Sequence, residues 1–197
     1  SQAYMRIYSH ADTYFDLYLY PSDGSSLSTI LSGTHTLPSV AANGYWHTSQ
    51  IVIRDRVGNQ RMESANDFGW RMYVDNPGED ITKPSYIANS IKLELDSEIL
   101  EGRDTSLIKA SWLFDENNAM RESSACYGAL NDELPTTYSI QASGNAVNNE
   151  CSVTYVMPDY MPTSVYRLNY IMMTDLAMNK SSTYFTTPSD IGAEFTN

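Results

Sequence analysis

The sequence is poor in basic residues, histidine and cysteine, and each shortage excludes a class of function. Lys and Arg number 12 against 24 Asp and Glu, and the formal charge of −12 repels phosphate backbones and anionic lipid surfaces. We therefore predict no nucleic-acid partner. The 3 histidines and 2 cysteines show no Cys-x-x-Cys, His-x-x-x-His or His-Glu-x-x-His spacing, so a zinc or thioredoxin-like site is not indicated.

Long apolar runs and the motifs of common catalytic sites are missing as well. No stretch of about 18 apolar residues occurs, so we predict no membrane insertion. The first residues lack the basic and then apolar pattern of a signal peptide, and we expect a mature or excised segment. Gly-x-Ser-x-Gly, P-loop and dinucleotide patterns are absent, and His10, His35 and His47 are scattered. We predict no catalytic residues and no enzyme.

What the sequence does contain is an internal repeat. Residues 45–59 align without a gap with residues 165–179, an offset of 120. The matched residues are Trp46, Ile51, Asp55 and Asn59 in the first copy and Tyr166, Ile171, Asp175 and Asn179 in the second. Pro38 matches Pro158 at the same offset, and Asp67-Phe68-Gly69 matches Asp190-Ile191-Gly192 after a slip of three. Similarity at a fixed long period predicts two like units, each of domain size.

The repeated motif can be interpreted physically as a strand that enters a tight turn. Trp46 and Thr48 have one parity, whereas Ile51 and Ile53 have the other, so the strand changes face between them. A β-bulge produces such a change. The strand then runs into Asp-x-x-x-Asn, whose residues favour a hairpin turn. An aromatic residue at the start of such a strand is typical of the core of a β-sandwich.

The order of these residues resembles the tandem immunoglobulin-like domains of bacterial secreted and surface proteins. The resemblance rests on Pro38, the aromatic residue, Ile-x-x-x-Asp-x-x-x-Asn and Asp-Φ-Gly, followed by Asp80-Ile81-Thr82-Lys83-Pro84. It implies an all-β fold of two immunoglobulin-like β-sandwiches, with domains at residues 1–79 and 80–197. It also implies an extracellular or cell-surface location, with other domains of a longer chain as partners.

Short alternating segments throughout the chain are consistent with an all-β fold. The first unit is expected to have strands at residues 4–8, 14–20, 28–38 and 71–74 besides the motif strand. The second is expected to have strands at 90–95, 107–114, 138–140, 153–157 and 182–186. The second unit has about 40 more residues ahead of its motif than the first. The first unit is therefore either a reduced sandwich or a domain cut inside a longer protein, with an exposed sheet edge.

The two cysteines, Cys126 and Cys151, both lie in the second unit. One interpretation is a pair of buried thiols. Since the repeat resembles secreted proteins, an oxidising compartment favours a disulfide, which we predict between them.

A tyrosine-rich strand is the first candidate binding site. Between residues 14 and 20, Phe15, Leu17 and Leu19 have one parity. The opposite parity holds the candidate ligand-binding residues Tyr14, Asp16, Tyr18 and Tyr20. Aromatic rings stack on sugar faces, and hydroxyl and carboxylate groups bind sugar hydroxyls, so this face could bind a glycan. The alternative is that these tyrosines pack under other strands or a neighbouring domain.

An acidic segment between the two units is the second candidate. Asp75, Glu79 and Asp80 offer the oxygen ligands that Ca²⁺ prefers, and a calcium ion at the domain junction is one interpretation. A solvated acidic linker without any cofactor is the other. For Asp55 and Asp175 we favour hydrogen bonds that form a turn.

Together these features predict a non-enzymatic extracellular module that serves as a spacer or adhesion region. Its ligand would be a glycan or a cell-surface protein. The alternative is a carbohydrate-binding or accessory region attached to a secreted protease or glycosidase.

Overall fold

A computed structural model describes residues 2–22, 30–64, 69–100, 103–132, 138–158, 160–185 and 192–195. These residues form fifteen β-strands in antiparallel sheets, and no helix occurs among them. The chain divides into two compact units. The first consists of Ser1–Ile81 with Ala177–Asn179, and the second of Thr82–Leu176 with Lys180–Asn197. The Asp-Φ-Gly motifs fall largely outside the described residues.

The described residues of the first unit form one six-stranded sheet. Its strands are β1 (Gln2–Tyr8), β2 (Tyr14–Pro21), β3 (Leu31–Ser32), β4 (Gly44–Arg54), β5 (Gln60–Ser64) and β6 (Arg71–Val74). Their order is β3-β2-β1-β4-β5, with β6 paired to β4. The motif strand β4 therefore lies near the centre, between β1 on one side and β5 and β6 on the other.

The second unit contains a nine-stranded sheet that curls almost into a barrel. Its strands are β7 (Ser85–Tyr86), β8 (Lys92–Leu100), β9 (Arg103–Asp115), β10 (Cys126–Asp132), β11 (Ser139–Val147), β12 (Glu150–Val156), β13 (Ser164–Thr174), β14 (Lys180–Tyr184) and β15 (Gly192–Phe195). The order is β14-β13-β10-β11-β12-β9-β7, with β15 paired to β13 and β8 to β9.

The two copies of the motif occupy equivalent strands. β4 and β13 are both 11 residues long, and Gly44 and Ser164, which begin them, differ by 120 in number. The predicted bulge is confirmed in each: the pairing of β1 with β4 skips Ser49, and the pairing of β10 with β13 skips Asn169. These two residues also differ by 120. In β13 the buried parity changes across this shift, from Tyr166 and Leu168 to Ile171 and Met173. In β4 it does not, because Trp46, Thr48 and Val52 are buried whereas Ile53 is 37% exposed.

The aromatic residue of the motif closes a backbone corner in both units. Trp46 is wholly buried, and its Nε1 donates to the carbonyl oxygen of Ala42 at 2.9 Å. Tyr166 is equally buried, and its hydroxyl donates to the carbonyl oxygen of Pro162 at 3.1 Å. Each acceptor lies four residues before the ring. The same contact is thus made with different chemistry, because an indole N–H and a phenol O–H both supply one donor.

The Asp-x-x-x-Asn turn is well defined in the first copy. Asp55 Oδ1 accepts from the backbone N–H groups of Val57 and Asn59, both at 2.9 Å, and Oδ2 accepts from Asn59 Nδ2 at 2.7 Å. These hydrogen bonds lower the pKa of Asp55, and the bond from the Asn59 side chain is the largest cause. Gly58 adopts the positive φ, 94°, that the turn requires. The expected role of Asp55 in the turn agrees with this geometry.

The second copy of the turn differs in its environment. Asp175 and Asn179 are wholly buried, and Asn179, in the first unit, donates from Nδ2 to the Asp80 carbonyl at 3.0 Å. Met178 stands where the first copy has Gly58 and takes a φ of 72°. A side chain at this φ is strained, so surrounding contacts must hold the turn.

The predicted disulfide is present in the second unit. Cys126 on β10 and Cys151 on β12 are bonded with their Cα atoms 5.8 Å apart, and β11 lies between these strands in the sheet. Cys151 is directly opposite Trp112 of β9, and both residues are wholly buried. The parity expected for β9 holds, since Ile108, Ala110, Trp112 and Phe114 are all buried.

One face of the first sheet is covered by a loop rather than by a second sheet. The strand expected over residues 28–38 is wrong in most of its described part, because only Leu31–Ser32 is extended and paired. After it, His35 stacks on Phe15 at 4.0 Å, and Ala41 and Ala42 are buried against Trp46. The segment therefore supplies its core contacts as a loop.

The extra residues of the second unit form the strands that precede its motif. β1 and β10 are equivalent, because Ile7 pairs with Thr48 and Leu130 pairs with Leu168, 120 residues on. In the second unit β7, β8 and β9 come before β10. Their wholly buried residues Ile108 and Trp112 pack on the face that the loop covers in the first unit.

Candidate functional site

The four predicted ligand-binding residues share one face of β2. Tyr14, Asp16, Tyr18 and Tyr20 alternate with Phe15, Leu17 and Leu19, and Phe15 is buried in the core. Tyr18 and Tyr20 keep 56% and 57% of their surface exposed. Tyr18 and Tyr20 therefore do not pack beneath any part of the first unit that the structure describes, whereas Tyr14 is half-buried.

β1 adds a matching row of side chains that the sequence analysis did not include. Tyr4 is directly opposite Tyr18, Arg6 opposite Asp16, and Tyr8 opposite Tyr14. Residues directly opposite in an antiparallel pair have their side chains on the same face. We call this surface of Tyr4, Arg6, Tyr8, Tyr14, Asp16, Tyr18 and Tyr20 the tyrosine face. The alternation of Tyr4, Arg6 and Tyr8 is visible in the sequence, but the pairing that aligns it with β2 is not.

An ion pair divides the tyrosine face into two aromatic rows. Arg6 donates from Nε and Nη2 to the two carboxylate oxygens of Asp16 at 2.7 and 2.9 Å. The guanidinium also lies 4.4 Å from the ring centre of Tyr14. The hydrogen bond to Asp16 raises the pKa of Arg6 above its already high usual value. Such a two-bond pair is held in a fixed geometry and leaves polar groups in the middle of the face.

The aromatic rows lie on either side of this pair. The rings of Tyr4 and Tyr18 are 6.1 Å apart, and those of Tyr8 and Tyr14 are 5.6 Å apart. Four residues separate Tyr4 from Tyr8, so the rows are about 13 Å apart along the strands. His47, directly opposite Tyr8 on β4, continues the second row, and its ring stacks on that of Tyr8 at 6.0 Å.

The acidic residues between the units are not gathered into one group. Asp75 and Glu79 are exposed, whereas Asp80 is buried. Glu79 Oε2 accepts from the backbone N–H of Asn43 at 2.9 Å. Among the residues that the structure describes, the three carboxylates do not form a set with oxygens within 4.8 Å of one another. Calcium binding by these residues stays a prediction, which a titration with and without chelator would test.

The three histidines each have a neighbour in the first unit. His35 stacks on Phe15 and His47 on Tyr8, while Nδ1 of His10 lies 3.5 Å from where a Cβ on Gly44 would be. They are not grouped around a shared nucleophile or carboxylate in these contacts. The prediction that the chain is not an enzyme stays a prediction.

The second unit has a polar groove of about 530 Å³ beside β8, β9 and β12. Its lining includes Lys92, Glu94 and Lys109. Lys109 forms ion pairs with Asp96 and with Glu98, the latter at 3.7 Å, and these raise its pKa. The charge of Lys109 is thus already balanced within the protein, which weakens this groove as an anion site.

Comparisons with protein-family models, with curated proteins and with solved structures found no match to the chain. Among the described residues, no helix has the length and apolar character needed to cross a bilayer.

Proposed function

We propose that the chain is a non-enzymatic extracellular adhesion module of immunoglobulin-like type, and that it binds an oligosaccharide on the tyrosine face. The observation that supports an oligosaccharide ligand is the pairing of two tyrosine rows around the Arg6–Asp16 ion pair. Rings bind the apolar faces of sugars, and the central polar groups bind their hydroxyls. A spacing of about 13 Å between the rows suits a chain of several sugars better than a single one.

The immunoglobulin-like assignment is supported by the second unit. Its buried Trp112 lies opposite one cysteine of a disulfide that joins separated strands, and Tyr166 closes a corner with Pro162. Immunoglobulin-like sandwiches also combine a buried Trp beside a disulfide with a tyrosine corner. Here, however, the disulfide joins two strands of one sheet, and Tyr166 is on a strand that carries no cysteine. The disulfide also supports an oxidising, extracellular setting.

The adhesion proposal is tested with an oligosaccharide array and the full chain. Calorimetry on the strongest binder would then compare the parent with Tyr18→Ala and Tyr4→Ala. Tyr160→Ala is the matched control, because Tyr160 is 79% exposed and lies outside the tyrosine face. We expect each of the first two changes to weaken binding up to about tenfold, since an aromatic contact contributes up to about 1.4 kcal/mol, and the control to have no effect.

Circular dichroism would show that the variants are folded, which is expected because Tyr18 is mostly exposed. If no oligosaccharide binds, or if Tyr18→Ala and Tyr160→Ala behave alike, the proposed ligand is wrong.

A further inference from the structure

The second unit has a separate groove on the outer face of strands β10, β11, β13 and β14. Its volume is about 530 Å³. Three tyrosines line it, Tyr127, Tyr170 and Tyr184, together with the amides Asn131, Gln141 and Asn169. The remaining lining side chains that the structure describes are small or apolar, and none of the described lining residues is charged. The sequence analysis did not single out any of these residues.

The tyrosines form a continuous aromatic wall. The ring centres of Tyr127 and Tyr170 are 5.8 Å apart at 70°, and those of Tyr170 and Tyr184 are 4.6 Å apart at 43°. The Tyr170 hydroxyl is 3.0 Å from Ser182 Oγ, and the Tyr127 hydroxyl donates to Gln141 Oε1. These hydrogen bonds fix the rings before any ligand arrives, which reduces the entropy lost on binding. Tyr184 is 70% exposed, so its ring is accessible.

Two amide oxygens in the lining are left unsatisfied. Oδ1 of Asn131 and Oδ1 of Asn169 are shielded from solvent, and neither has a hydrogen-bond partner among the described residues. Buried polar atoms are nearly always paired, so each unpaired one calls for an explanation. Asn169 is the extra residue of the β13 bulge, and bulges commonly redirect a side chain. If either side chain turned toward the groove, a ligand donor there would give the amide the hydrogen bond that it lacks.

The chemistry of the lining determines the class of ligand. Aromatic rings with amides and hydroxyls suit a ligand that has apolar faces and many hydroxyl groups. The chain carries a net charge of −12, yet the part of this lining that the structure describes is uncharged, which favours a neutral ligand over a cation or an anion. The groove is lined by side chains on the face of the sheet, so it does not itself offer the backbone groups that an added peptide strand pairs with.

We propose that this groove binds a neutral carbohydrate, with Tyr127, Tyr170 and Tyr184 stacking on sugar rings and Asn131 and Asn169 binding sugar hydroxyls. The site is formed by the second unit alone. It does not depend on ligand binding by the tyrosine face.

The test uses the full, disulfide-bonded chain and a panel of neutral gluco-, manno-, galacto- and N-acetylglucosamine oligosaccharides at up to millimolar concentration. Binding is followed by NMR chemical shifts, which locate each ligand on its unit. We expect at least one oligosaccharide to shift the signals of Tyr170, Asn169 and their neighbours. Tyr184→Ala should lower the affinity for that ligand up to about tenfold, which is the effect of losing one aromatic contact. Asn169→Ala should weaken it as well.

Two controls separate this site from the tyrosine face. Tyr160→Ala and Tyr18→Ala should leave binding in the groove unchanged. If every bound oligosaccharide is lost in Tyr18→Ala and retained in Tyr184→Ala, the groove proposal is overturned while the adhesion proposal stands. Absence of shifts around Tyr170 with the whole panel, or shifts produced only by peptides, would also overturn it.

Discussion

A close contact in the second unit allows a quantitative test of its core. A Cβ added to Gly128 of β10 would lie 2.1 Å from the hydroxyl oxygen of Tyr155. Tyr155 is wholly buried, and its hydroxyl has no hydrogen-bond partner among the residues described. Residue 128 must therefore be glycine, because the Tyr155 hydroxyl occupies the space that a Cβ atom would need. The perturbation we consider is Gly128→Ala, alone and combined with Tyr155→Phe.

The expected free energies of unfolding follow from these contacts. Overpacking a core usually costs about 1–3 kcal/mol, and we expect Gly128→Ala to cost about 3 kcal/mol because the wholly buried ring cannot swing into solvent. Tyr155→Phe removes an unpaired buried hydroxyl and should stabilise the unit by about 1 kcal/mol. Without that oxygen, the nearest atoms to the new methyl group are Tyr155 Cζ and Leu168 Cδ1, both at the ordinary distance of 3.4 Å.

The double variant should therefore be about as stable as Tyr155→Phe alone. This corresponds to a coupling energy of about 3 kcal/mol between the two positions, well above the 0.5 kcal/mol that independent sites show. Urea unfolding of all four proteins, followed by circular dichroism with the disulfide intact, measures it. Should Gly128→Ala cost the same in both backgrounds, the hydroxyl does not set the identity of residue 128, and this description of the core is incorrect.

Three further predictions concern the same unit. Thiol labelling of denatured, unreduced protein should find neither Cys126 nor Cys151 free, and reduction should lower the stability of the unit by about 3–4 kcal/mol in the loop-entropy model, as seen in urea unfolding. Tyr166→Phe should cost about 1 kcal/mol by the same assay, because the corner hydrogen bond is lost. Burial raises the pKa of Tyr155 above its ordinary 10.0, so the folded state holds this proton more tightly. Stability should then be unaffected below about pH 10 and fall above it, and the fall should be shallower in Tyr155→Phe.

Much of the motif could be predicted because it is local. The change of parity from Trp46 and Thr48 to Ile51 and Ile53 depends only on neighbours along one strand. It placed the bulge between Thr48 and Ile51, where the pairing of the strands skips Ser49. Asp55 and Asn59 bond to each other within one turn, so their spacing alone indicated the hairpin. The disulfide required only two cysteines and a secreted type of sequence.

Features that depend on distant pairing were missed. β10, at residues 126–132, is a central strand, but Gly128, Asn131 and Asp132 give it a weak strand signal. Its position is set by β11 and β13 on either side and by the disulfide. The role of Arg6 was missed for the same reason, because only the pairing of β1 with β2 brings it to Asp16. The tyrosine-lined groove of the second unit is formed by four strands, and no short stretch of sequence contains all of its lining residues.

The outer faces of the two sheets show how one scaffold carries two different surfaces. Tyr4 pairs with Val52 and Tyr127 pairs with Met172, 120 residues on, so the two tyrosines are equivalent. Their neighbours are not: the position of Arg6 in the first sheet is that of Ala129 in the second, because their partners Gln50 and Tyr170 also differ by 120. Core contacts constrain the inner faces, since a change there costs folding energy, whereas the outer faces can vary. On the proposals above, the first face presents an ion pair between its rings and the second a neutral, amide-lined groove. The two faces should therefore differ in the sugars that they prefer, and only a glycan that carries both, with enough reach to span the two sites, would gain from binding them together.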